Sequence, residues 1–139
     1  MTETILVVDD NPDLVFGLKL ALEMEGYRVL TASDGEAALR LIEEDPPDLI
    51  LTDIKMPGMD GIEMLRRIRE ADEEAVVVLM TAYASVPTAL QAIRHSAYDY
   101  LVKPFDTLDE VLSVVRRGLE RRRELVRSHQ LLQEEEEQE

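Results

Sequence analysis

The chain contains no cysteine, which removes disulfides, thiolate metal sites and cysteine nucleophiles at a stroke. Histidine is nearly absent as well: His95 and His129 lie far apart and give little support to a His-rich metal centre or a Ser-His-Asp triad. No apolar run approaches the ~18 residues that a bilayer span needs. Met1-Thr2-Glu3-Thr4 leads straight into a strand-like run with no signal peptide. The expectation is a cytoplasmic protein without a membrane partner. Positive charge is scarce too. Fifteen Lys and Arg stand against thirty Asp and Glu, a net charge of −15, which argues against direct nucleic-acid binding by this chain.

What is present describes one globular unit with an extension. The 139 residues are 45% hydrophobic and 32% charged, enough to bury about two thirds of the unfolded surface. The centre of the pattern is Leu49-Ile50-Leu51-Thr52-Asp53-Ile54-Lys55-Met56-Pro57-Gly58. A buried-type apolar strand ends abruptly in a carboxylate, and a Pro-Gly turn follows. Ile5-Leu6-Val7-Val8 is a similar run that ends at Asp9-Asp10, and Asn11-Pro12 then starts a helix with a cap and a first-turn proline. Leu14, Leu18 and Leu22 form its inner stripe, and Gly26 closes it. Tyr27–Ala32 is a more polar strand, expected nearer the sheet edge. Asp34-Gly35 opens a second helix with Ala38, Leu41 and Ile42 inward, and Asp60-Gly61 opens a third with Ile62, Leu65 and Ile68. Val76–Met80 is a strand ending at Thr81. Ser85-Val86-Pro87 starts a fourth helix carrying Leu90 and Ile93, Tyr98–Val102 is the fifth strand, and a last helix begins near Thr107 or Leu108 and runs past Leu132. Strand and helix alternate five times, which predicts an α/β fold with a parallel sheet covered on both faces.

Four of the five strands finish in polar residues that an apolar strand does not need: Asp9 and Asp10, Asp53, Thr81, and Lys103. In a parallel sheet those ends share one edge, where ligands bind. Taken singly, each has an ordinary explanation as helix cap, turn residue, satisfied hydroxyl or surface lysine. Four such explanations falling on one edge is a weaker account than one site. Carboxylates about 4 Å apart repel by roughly 4 kcal/mol at an effective dielectric of ~20, so a proton or a cation is required. Oxygen ligands alone select a hard ion such as Mg²⁺. With Lys103 and the Thr81 hydroxyl available for phosphoryl oxygens, the parts match phosphoryl transfer onto a carboxylate.

The stretches Leu6–Asp10, Leu51–Gly61, Met80–Ala82 and Asp99–Phe105 resemble the receiver domain of two-component response regulators, over about residues 4–120. The resemblance implies a flavodoxin-like, doubly wound five-stranded sheet of order 2-1-3-4-5 with five helices. It implies that Asp53 accepts phosphate from a sensor histidine kinase or a phosphotransfer protein. Asp10, Asp53 and the backbone carbonyl of Lys55 would bind Mg²⁺, with Asp9 holding its waters. Lys103 would pair with the acyl phosphate, ahead of a cis bond to Pro104. Thr81 and Tyr100 would be the switch pair, altering the surface of the fourth helix, fifth strand and fifth helix. Lys55 and Tyr83 occupy the positions that tune phosphate lifetime. Ser96-Ala97 departs from the family's usual Gly-Ala. The stretch Met80–Ser85, with the long last helix, is similar to receivers preceding sigma-54-type ATPase transcription activators, so transcription regulation is the expected pathway, through an output domain or a partner.

Two other readings compete. Haloacid-dehalogenase-like phosphatases use similar groups, but their Asp-x-Asp motif is missing where the first strand ends Asp9-Asp10-Asn11. An unphosphorylated interaction module would have no use for the full set of site residues. The expected division is a receiver over residues 1–122 and a helical extension over 123–139. Along the last helix Leu112, Val115, Leu119 and Val126 fit a stripe that Arg122 and His129 interrupt, a weak seam for a homodimer; the surface of the fourth helix, fifth strand and fifth helix offers another. The Arg cluster is read as a solvated or salt-bridged face, and Glu134–Glu139 as a solvated, frayed end.

Overall fold

Side chains alternate across a strand, and here both alternating sets are apolar, so the sheet must be covered on both sides. The computed structural model describes residues 2–82, 87, 91, 94 and 97–138. Strands β1 (Thr4–Val8), β2 (Arg28–Ala32), β3 (Leu49–Asp53), β4 (Val77–Thr81) and β5 (Asp99–Val102) form one sheet in the order β2-β1-β3-β4-β5. Every pairing is parallel. Helices α1 (Pro12–Met24), α2 (Gly35–Glu44), α3 (Gly61–Ala71) and α4 (Leu108–Gln138) are traced among the described residues. The helix expected to begin at Ser85–Pro87, with Leu90 and Ile93, lies outside them. Of it only Pro87, Gln91 and Arg94 are described, each helical. Tyr83 and Ser96 are outside as well.

Ile5, Val7, Leu49, Leu51, Val76, Val78 and Met80 face one side, where Leu18 and Leu22 of α1 and Val111, Val115 and Leu119 of α4 cover them. Leu6, Val8, Ile50, Val77 and Leu79 face the other, under Ala38 of α2 and Met64, Leu65 and Ile68 of α3. This two-sided burial is what a right-handed βαβ chain produces. β2, the most polar strand, takes the edge.

The helix starts are chemically explicit. Asn11 Oδ1 accepts from the N–H groups of Asp13 (3.1 Å) and Leu14 (3.3 Å), with Pro12 at the first helical position. Asp34 accepts from Ala37 N–H and Asp60 from Glu63 N–H, at 2.8 and 2.7 Å. At the end of α1, Gly26 (φ 95°) donates to Glu23 O and Tyr27 to Leu22 O, the paired bonds of a Schellman cap. Tyr27 is thereby committed to the cap, which is why β2 begins one residue later than its sequence suggests.

Two further boundaries depart from expectation. β4 and β5 begin at Val77 and Asp99, one residue in from the apolar runs. α4 continues through Gln138, into the acidic run, whose described residues are exposed. Glu, Gln and Leu are good helix formers, and extending an existing helix avoids the cost of nucleation.

Gly118 lets α4 lie close to the sheet. A Cβ there would stand 2.5 Å from Leu49 Cδ1 and 3.3 Å from Val76 Cγ1. Gly17, in the middle of α1, would meet nothing within 4 Å. Urea unfolding should therefore separate the two glycines. Gly118→Val lowers stability by about 1–3 kcal/mol through overpacking, and Gly17→Ala raises it by about 0.5–1 kcal/mol through helix propensity.

Candidate functional site

The register of the sheet assembles the polar strand ends. Val8 pairs with Thr52, so Asp9 and Asp53 leave neighbouring strands side by side. Thr81 pairs with Val102, which sets Lys103 beside the loop after β4. The Asp9 side chain is almost wholly buried, and Asp53 nearly so. Lys103 Nζ lies 2.5 Å from Asp9 Oδ2 and 3.3 Å from Asp53 Oδ2. Asp9 Oδ1 accepts the Asn11 N–H at 2.9 Å, and Asp53 Oδ1 the Lys55 N–H at 3.4 Å. One oxygen from each of Asp9, Asp10 and Asp53 falls within 4.8 Å of the others.

Burial pushes the Asp53 carboxyl above its ordinary range, and the neighbouring Asp9 charge adds to this; Lys103 and the Lys55 N–H pull it back. A single ammonium shared between two carboxylates, with a third close by, leaves the group short of positive charge. The cluster is all oxygen, matching the preference of Mg²⁺ for one or two carboxylates and water. The residues present fit a hard divalent ion.

The remaining candidates are placed as follows. Thr81 is buried at the end of β4, and its carbonyl accepts the Lys103 N–H at 2.6 Å. Leu79 pairs with Tyr100, so Tyr100 shares a sheet face with Thr81. Tyr100 nonetheless remains 41% exposed. Lys55 is exposed and joins the cluster through its backbone. Lys103-Pro104 is a cis peptide bond.

Sequence reading treated Gly61 only as a helix start. Here its N–H donates to Ile54 O at 2.6 Å. A Cβ at this position would collide with the backbone oxygen of Asp53 and stand 2.8 Å from Ile54 Cα. The first residue of α3 thus rests directly on the peptide that follows β3 and props the Asp53 loop. The only sequence signal was a glycine straight after a cap, where other small residues would serve equally.

The response regulator receiver domain profile matches residues 5–116. The chain belongs to the response-regulator receiver family. This receiver is 42% identical over 131 residues to the regulatory protein AtoC of Escherichia coli, covering 92% of this chain and 28% of AtoC. It is 39% identical over 119 residues to the sporulation initiation phosphotransferase F of Bacillus subtilis, covering 86% of this chain and 95% of that protein. Among solved structures it is similar to the response regulator TrrA of Thermotoga maritima in complex with Mg²⁺-BeF, with a TM-score of 0.77, 38% identity, and coverage of 84% and 99%. The receiver spans 28% and 26% of the lengths of AtoC and of a DctD relative from Pseudomonas aeruginosa. Receivers of this family are signalling switches that take phosphoryl groups from histidine kinases, and several relatives of this one are transcriptional regulators. No helix among the described residues is long and apolar enough to cross a membrane.

The direction of the Asp53 shift has a consequence for stability. A carboxyl whose folded value is raised costs stability once ionised, and stability falls as pH rises through the window from the ordinary to the raised value. Asp53→Asn removes that cost. In EDTA the variant should melt about 2–5 °C above wild type near pH 7, the gap should close on acidification, and Mg²⁺ should narrow it by stabilising only the wild type. Thermal melts of both proteins across pH provide the check.

Proposed function

We propose that the protein is a phosphorylation-controlled switch in which Asp53 accepts a phosphoryl group from a phosphohistidine. The observation that carries this is the junction of Asp9, Asp10, Asp53 and Lys103 at one sheet edge. An Asp53 oxygen attacks phosphorus, the phosphorus–nitrogen bond of the donor breaks, and the imidazole leaves. Asp10, Asp53 and the Lys55 carbonyl would hold Mg²⁺, with Asp9 orienting its waters. When bound, the ion offsets charge on the transferring group. Lys103, already at 3.3 Å from Asp53 Oδ2, is placed to exchange a carboxylate partner for a phosphoryl oxygen. The Thr81 hydroxyl supplies a second donor.

Phosphate adds about −1.5 to −2 charges and three acceptors at this edge. In this reading Thr81 moves toward it, Tyr100 turns inward, and the surface around β5 and the last helix changes to engage an output domain or a partner. Lys55 and Tyr83 screen the acyl phosphate and set its lifetime. The chain acts as a phosphoacceptor with self-catalysed gain and loss of phosphate, in the cytoplasm, and has no separate substrate. Residues 1–122 form the switch and 123–139 the extension.

A protein donor also needs a hold on the receiver. α1 leaves the acidic cluster directly, and Phe16, Leu20 and Met24 are spaced i, i+4, i+8 along it with 64%, 49% and 88% exposure. That apolar row begins beside the site at Phe16 and runs away from it along α1, which suits contact with the helical surface of a donor.

Intact mass after incubation with acetyl phosphate and Mg²⁺ tests the acceptor: one phosphate is gained by wild type and none by Asp53→Asn. A phosphate retained by the variant would reassign the nucleophile. In a second comparison, Phe16→Ser with Leu20→Ser should slow transfer from a phosphorylated histidine phosphotransfer domain by about tenfold or more. Its rate with acetyl phosphate should stay unchanged, because the small donor needs no docking surface.

A further inference from the structure

We infer that the stripe on α4 that is interrupted by Arg122 and His129 is a docking face for the chain's own receiver, so that residues 119–130 are a fixed part of the domain and not a seam for a second copy. The inference is independent of the chemistry at Asp53. Its basis is the change of character along one helix face. Leu112, Val115 and Leu119 are buried in the core against the sheet. Arg122, Leu125, Val126 and His129 continue that face at helical spacing, and at these positions the helix has reached the amino-terminal edge of the sheet, opposite the acidic cluster.

That edge presents acid, and the helix answers it residue by residue. Arg122 Nη1 lies 3.1 Å from Asp72 Oδ2 at the end of α3, and the Arg122 side chain is only 17% exposed. Arg123 Nη1 lies 2.6 Å from Glu3 Oε1, just before β1. One to two turns further on, His129 Nδ1 lies 2.9 Å from Glu74 Oε1, in the loop before β4. Between these contacts Leu125 packs against the core. The two residues that spoil an apolar seam are therefore the ones the receiver's own carboxylates require. A single exposed ion pair holds little. Two ion pairs and an imidazole–carboxylate contact reaching separate segments of the fold, with an apolar contact between them, constrain both the tilt and the rotation of the helix.

The clasp fixes the direction in which residues 131–138 leave the domain. Whatever those residues contact is presented at a set angle by the receiver body, and Leu131 and Leu132 (54% and 61% exposed) remain free on the projecting end.

The absence of cysteine makes the test clean. Spin labels at Arg40→Cys on α2 and Gln133→Cys on α4, diluted with unlabelled protein, should give one narrow distance distribution. Adding Arg122→Glu and Arg123→Glu should broaden it, and further adding Asp72→Arg and Glu3→Arg should narrow it again. Amide exchange over residues 123–130 should follow the same order, about tenfold faster in the charge-reversed protein. Melting of the receiver body, followed in parallel, distinguishes release of the clasp from global unfolding. A broad distribution in the starting protein, or a narrow one that ignores charge reversal in a still-folded receiver, would overturn the inference. So would sedimentation showing a dimer that Arg122→Glu and His129→Glu dissociate, since that would give the stripe to a second copy.

Discussion

The ammonium of Lys103 is shared between Asp9 and Asp53, and the arrangement of the site follows from that one contact. It joins residues 94 positions apart in sequence, so it exists only when β1, β3 and β5 are in register. It is also insufficient. One positive charge faces two carboxylates directly and a third nearby, in a setting that disfavours the ionised form of Asp53. The fold supplies the means to hold this excess of negative charge. Apolar strands pack on both faces, helix caps anchor the loops, and Gly61 brings α3 against the backbone of the residue that the charges would otherwise displace. A site with unmet demand for positive charge is suited to taking up a cation and a group with oxygens to be neutralised.

Much of this was legible because the relevant signals are local. Buried strands ending in Asp9-Asp10, Asp53, Thr81 and Lys103 could be found from hydropathy alone, and strand–helix alternation was enough to place their ends on one edge. Asn11-Pro12, Asp34 and Asp60 announced their helices through cap chemistry. The features that were not legible depend on close approach. Nothing in the sequence distinguishes Gly118, pressed against Leu49, from Gly17, which faces open space. Gly61 likewise gave no sign that it bears on the Asp53 peptide. The start of β2 was missed because Tyr27 is claimed by a cap bond to Leu22, a competition that apolar patterning does not register.

The extension teaches the complementary lesson. Arg122 and His129 counted against an apolar seam when the helix was read in isolation, and the pattern looked like a degraded coiled coil. With Asp72, Glu3 and Glu74 located, the same letters describe a helix that is apolar where it crosses the sheet and ionic where it passes the rim. The acid that makes the chain so negative overall is partly spent on these contacts. Relatives as different in length as AtoC and the sporulation phosphotransferase F share the receiver.

Gly118 has one more implication, and it is geometric. It lets α4 lie close against Leu49 and Val76 of the sheet side, ten residues from the helix start at Leu108 and twenty from its end at Gln138. At a rise of 1.5 Å per residue the two arms measure about 15 and 30 Å. The short arm begins just beyond Lys103-Pro104-Phe105, beside the acidic cluster; the long arm passes the ionic rim and projects. The ionic contacts at Arg122 and Arg123 lie only one turn past Gly118, so the long arm leaves the domain along the line that the close approach to the sheet sets.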